Sequence, residues 1–112
     1  MKYMLLIYSN ETDWDSLSED EQHAIYGEYA AISDAPGTVH DAQLQPATVA
    51  TTVRVRDGGT LTTDGPFVET KEQLGGYYLI EADDLDAAID VAARVPAARR
   101  GGAVEVRPVV ER

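Results

Sequence analysis

The sequence predicts an α+β fold, and three observations predict it. Two helical stretches with apolar stripes are each bracketed by β-rich runs. An alternating Val/Arg run meets Asp57-Gly58-Gly59, which reads as a hairpin between the two β-α-β halves. At 112 residues, with 44% hydrophobic and 26% charged residues, the chain has the composition of a single globular domain, residues 1–112.

The first strand is "KYMLLIYS", nearly continuously apolar and therefore central. "SNETDWDSLSEDEQ" is a loop running into a helix. Ser18 with Glu21, or equally Ser16 with Glu19, fits a capping box, and Asp20 and Glu21 favour the positive end of the helix dipole. This helix runs to about Ser33 with Ile25, Tyr29 and Ile32 as its stripe, Gly27 inside it, and "DAPG" as its stop.

"TVHDAQLQP" is a weaker strand ending at Pro46. In the hairpin, Val53 and Val55 alternate with Arg54 and Arg56, the turn is Asp57-Gly58-Gly59, and "TLTT" returns. "GGYYLIEA" is the next strand. Asp83 or Asp84 caps a second helix whose stripe is Leu85, Ala88, Ile89 and Ala92, ended by Val95-Pro96. Arg99 to Gly102 is a loop, and "AVEVRPV" is a last strand with Val104 and Val106 on one face.

With the hairpin set aside, the order is the split βαβ, ferredoxin-like βαββαβ arrangement. Two helices cover only one face of such a sheet. The apolar first strand and "GGYYLIEA" leave the other face greasy, so a homodimer with facing sheets is expected, with a small-molecule pocket near that interface.

Charge and composition narrow the function. Nine basic residues stand against twenty acidic ones, a formal charge of −11, which argues against nucleic-acid and anionic-membrane partners. The chain has no cysteine, so thiolate chemistry and disulfides are excluded. The N-terminal apolar run is too short for a signal sequence or membrane span, so the cytoplasm is expected. The two histidines lack HxH or HxxxH spacing, so no metal is expected, and without a phosphate loop or dinucleotide fingerprint no cofactor is expected.

"DGPFVETKEQLGGYYLIEADDLDAAIDVAARVPAARRGGAVEVRPV", with "KYMLLIY" and "LQPATVATTVRVRDG" before it, resembles the DGPF proteins, a branch of the YCII-related family. The resemblance covers nearly the whole chain. It implies a dimeric α+β barrel of ferredoxin-like subunits in small cytoplasmic proteins. It also implies two functional classes: a cofactor-independent enzyme of proton transfer or isomerisation, or a module working beside a sigma factor of the extracytoplasmic-function class. In simpler relatives a histidine of the first helix and an aspartate form a proposed catalytic pair. The passage "AISDAPGTVHDAQLQP" is shorter than the family's usual one, which implies an altered cleft at that end.

Asp64 has two readings: it bonds its own turn backbone while Phe67 plugs the core, or it is a general base beside a pocket. Glu69 and Lys71, two apart in an extended lead-in, either form a solvated charge run with Glu72 or orient an anionic substrate. His23 lies in the first turns of the helix but points away from the Ile25/Tyr29/Ile32 stripe, as a surface histidine does. His40 and Asp41 face opposite ways along a strand, so they are no dyad, though His40 is a second possible partner for Asp64. Tyr8 and Tyr77 are core or pocket-lining tyrosines.

Overall fold

The computed structural model describes residues 1–10 and 14–112; part of the loop expected after the first strand, residues 11–13, lies outside the described residues. The elements are β1 (Lys2–Ser9), α1 (Glu19–Ser33), β2 (Thr38–Gln43), β3 (Thr51–Arg56), β4 (Gly59–Asp64), β5 (Gln73–Glu81), α2 (Leu85–Ala92) and β6 (Ala103–Pro108). Short 3-10 turns at Trp14–Ser16, Ala47–Val49 and Pro96–Arg99 join them.

β1, β2, β5 and β6 form one sheet in the order β2-β5-β1-β6, every neighbour antiparallel. That is the ferredoxin-like order, with β3–β4 a separate two-stranded sheet. The long apolar strands take the centre because their residues need cover on both sides. β5 begins at Gln73, two residues earlier than the glycine pair suggests.

Register sorts the side chains. Tyr3, Leu5 and Ile7 stand opposite Ile80, Tyr78 and Gly76, and this face meets the helices. With Ile25 and Ile32 of α1, Ala88 and Ala92 of α2, and Val95 and Ala97 behind it, this face makes the core. Leu85 and Ile89, expected in the stripe of α2, are instead 49% and 46% exposed. Alanine side chains let a helix lie close on a sheet, so Ala88 and Ala92 hold the contact and the bulkier neighbours sit at its rim.

The capping box forms as Ser18 with Glu21: the Glu21 N–H donates to Ser18 Oγ and the Ser18 N–H to Glu21 Oε1. These bonds hold the Glu21 carboxyl below its ordinary value. Asp84 is the residue that caps α2, accepting from the Ala87 N–H at 2.8 Å. The hairpin turn is Asp57-Gly58, both at positive φ (52° and 77°), closed by the Arg56–Gly59 pair. This two-residue loop has the twist that antiparallel strands require.

The hairpin stands apart from the four-stranded sheet as an arm. Val53, Val55 and Leu61 are all at least half exposed. The radius of gyration is 16.0 Å, against about 13 Å for a compact chain of this length. The accessible surface is 7962 Å², where scaling gives about 6,000 Å² for a monomer of this mass.

Two glycines test the packing. A Cβ on Gly102 would collide with the Tyr8 carbonyl and lie 3.1 Å from that of Ala97, whereas one on Gly27 meets nothing within 4 Å. Gly102→Ala should therefore destabilise by about 1–3 kcal/mol. Gly27→Ala should stabilise by about 1 kcal/mol, because it raises helix propensity without a clash. Urea unfolding at one fixed protein concentration checks both.

Candidate functional site

A cavity of about 420 Å³ lies on the helix side of the sheet, at the end where β1 finishes and β5 begins. That volume is in the range of small-molecule sites. α1 supplies one wall through Tyr26, Tyr29, Ala30 and Ser33; β2 and β5 supply another through Asp41, Gln43, Gly76 and Tyr78. Trp14 and the turn after α2, with Pro96 and Arg100, complete it.

Small residues open this space. Gly76 packs so tightly on β2 that a Cβ would lie 2.7 Å from the Ala42 carbonyl, so the strands approach here without side chains between them. A bulge between Ile7 and Tyr8, opposite Gly75, shifts the β1–β5 register at the same place. The Trp14 and Tyr26 rings meet edge to face with centroids 5.2 Å apart.

One end of the cavity is polar. Tyr78 Oη donates to the Tyr29 carbonyl at 2.8 Å, and Ser33 Oγ donates to the same oxygen at 3.3 Å. Asp41 is the cross-strand partner of Tyr78, so their Cβ atoms are about 5 Å apart. Tyr78 is 3% exposed. Burial, reinforced by the Asp41 charge against an opposing hydrogen bond from Ser33, pushes its phenol above the ordinary value.

Tyr77 lines the cavity, while its hydroxyl lies 2.9 Å from His40 Nδ1 with the two rings stacked. Register places His40, Tyr77 and Tyr8 on the helix-free face, beside Met4, Leu6 and Leu79. His40 and Asp41 do face opposite ways, as strand geometry requires.

Asp64 ends β4 on the arm. The turn after it is held by backbone: the Gly65 N–H donates to the Ala50 carbonyl at 2.7 Å and Thr52 Oγ1 to the Gly65 carbonyl at 2.9 Å, with Gly65 at φ 101°. Phe67 does not plug the chain's core: it is 68% exposed, with the Arg54 guanidinium 4.8 Å above its ring. Its separate hairpin sheet carries it off the core, so the arm's own cation covers it.

Glu69 and Lys71 lie exposed in the loop before β5, in no ion pair among the described residues. Gln73 Nε2 holds that loop by donating to the Val68 and Thr70 carbonyls at 2.9 and 3.0 Å. His23 is exposed on α1, and neither it, His40 nor Asp64 lines the cavity. Asp41, Trp14, Tyr26 and Ser33 belong to no motif; only the strand and helix periods mark their faces. Among the described residues no cluster of three or more histidine or carboxylate side chains is placed to hold a metal. No described helix is long and apolar enough to cross a membrane.

Because Tyr78 is raised, its linked stability is fully present below the unfolded phenol's value of about 10. That stability is lost as pH rises toward the folded value. In an alkaline titration, one phenolate absorbance component should appear above the ordinary range, and Tyr78→Phe should remove it.

The family model for the YCII-related domain matches residues 1–112. A protein of Rhizobium meliloti (strain 1021), itself described as uncharacterized, is 38% identical over 114 residues, which span 97% of this chain and 92% of that one.

Proposed function

The chain belongs to the YCII-related family, and from that premise we propose that it is a homodimeric small-molecule-binding protein whose ligand occupies the cavity between α1 and the sheet. The observation that carries this reading is the cavity itself: partly open, walled on one side by aromatic side chains, of ligand size, and polar at one end. The family resemblance supports proton transfer without a cofactor as the chemistry.

The second copy covers what two helices leave open. Met4, Leu6, Tyr77 and Leu79 are only partly buried on the helix-free face. The accessible surface exceeds the monomer expectation by more than the roughly 800 Å² per partner of a standard interface. A two-stranded hairpin alone is marginal in water, so the arm also needs a neighbour. In such a dimer His40 and Tyr77 face the partner. Asp64, Phe67, Glu69 and Lys71, none of which lines the cavity, meet the second copy at a site separate from the cavity, where Asp64 is the proton acceptor and His40 or His23 its partner.

A second reading rests on the arm. Val55 is 72% exposed and Phe67 68%, an apolar surface suited to a regulatory protein partner such as an extracytoplasmic-function sigma factor.

Light scattering separates these readings. The native chain should be a dimer, and Leu79→Lys should make it a monomer. Val55→Glu should weaken the dimer if the arm serves the second copy, and leave it intact if the arm serves another protein.

For the cavity, a fragment library screened by NMR should yield compounds that shift the amides of Ser33, Ala42 and Gly76. Ala30→Trp, on the cavity wall, should abolish those shifts. Shifts confined to other surfaces would sink the cavity reading. With a turned-over compound in hand, Asp64→Asn should remove turnover while the melting temperature stays put; unfolding instead would make that corner structural.

A further inference from the structure

We propose that the cavity takes a small organic cation, a primary or secondary amine on a flat apolar body, with its ammonium group held at Asp41. This rests on the reading of the cavity as the ligand site and adds the chemical class of the ligand.

The first argument is a count of protons. At the polar end, the Tyr78 and Ser33 hydroxyls both direct their hydrogens to the Tyr29 carbonyl. Their donors are spent inside the protein, and what remains toward the cavity is oxygen lone pairs. Asp41 adds a carboxylate, which at neutral pH only accepts. It lies across the β2–β5 pair from Tyr78, on the same face, and it is exposed, so the ligand reaches it without displacing packed protein. A carboxylate flanked by two hydroxyl oxygens suits a ligand that brings several N–H bonds, and the Gln43 amide on the same face of β2 adds a carbonyl acceptor beside its own donor. An ammonium brings two or three; a carboxylate or phosphate brings none and would meet the Asp41 charge.

The second argument is the aromatic wall. Trp14 and Tyr26, fixed edge to face, line the cavity with Tyr29 one helical turn further along. Ring faces attract a cation electrostatically and stack on a flat hydrocarbon body, so the same wall serves both parts of an aryl or alkyl amine.

The third is the distribution of charge. Among the described lining residues Arg100 is the one cation. It follows Arg99, which pairs with Glu28 of α1, and is itself engaged in an interaction within the protein. The chain's formal charge of −11 draws cations toward the protein as a whole.

The test uses probes that share one ring and differ in the head group: phenethylamine, 2-phenylethanol and 3-phenylpropionate. Trp14 is the single tryptophan of the chain, so its fluorescence reports directly on the cavity wall, and the Ser33 and Gly76 amides report by NMR. Phenethylamine should bind at least about tenfold tighter than the alcohol, the worth of one charge-assisted hydrogen bond, with the propionate weakest. Asp41→Asn should bring the amine down to the level of the alcohol and leave the alcohol unchanged. Ser33→Ala, which deletes a neutral acceptor, should reduce the amine preference by a smaller factor and serves as the variant if Asp41→Asn fails to fold. Tighter binding of the propionate, or an amine preference that survives Asp41→Asn, overturns the assignment of ligand class while the cavity stands as a binding site. Silence of Trp14 and of both amides toward all three probes overturns the cavity reading and the amine assignment together.

Discussion

The pairing of β1 with β5 is the constraint on which the rest depends. Both strands carry large apolar side chains on both faces: Tyr3, Leu5 and Ile7 against Met4, Leu6 and Tyr8, and Tyr78 and Ile80 against Tyr77 and Leu79. Such strands must lie inside a sheet, and their two faces must both be covered. Among the described residues there are two α-helices, and both lie on one face. The core is therefore one-sided, and the helix-free face keeps Met4, Leu6, Tyr77 and Leu79 only partly buried.

The same pairing accounts for where the cavity lies. Over most of its length β5 carries side chains that fill the space under the helices. At its start it does not: Gly75 and Gly76 leave that space empty, and β2 closes in on bare backbone. Ala30 on α1 and Ala97 after α2 keep the opposite wall thin. A strand end made of glycine and helix-side walls made of alanine leave a hollow, whereas a leucine at Ala30 or Ala97 would extend the core into it. Stability and ligand space thus come from different segments of one strand.

Much of the fold was legible because local signals agreed with one another. Ser18 and Glu21 cap a helix whose Ile25 and Ile32 are buried, Asp57-Gly58 turns a hairpin whose strands alternate, and the glycine pair marks close backbone approach. What was not legible depended on contacts remote in sequence. Leu85 and Ile89 have the right period for a core stripe, yet the height at which α2 rides over the sheet is decided by Ala88 and Ala92. Phe67 looks like a core residue by type, but the arm that carries it has no core of its own. The cavity was invisible because its walls come from α1, β2, β5 and the turn after α2, and no motif spans them.

Asp64 and Asp41 show why turn chemistry and site chemistry have to be argued apart. The corner after Asp64 is held by backbone at Gly65 and by the Thr52 hydroxyl. Those bonds come from atoms other than the aspartate carboxylate, so the corner's chemistry and its shape are separate questions. Asp41 is the reverse case. Its strand is an edge strand whose register shifts between Thr38 and His40, and its neighbour His40 draws the eye in the sequence, yet alternation beyond the shift sends His40 and Asp41 to opposite faces. His40 stacks on Tyr77 toward the open side, while Asp41 turns to the helix side beside a buried phenol whose proton is already committed. One strand thereby serves two surfaces, the helix-free face and the cavity, and the division between them is a single residue of β-strand period.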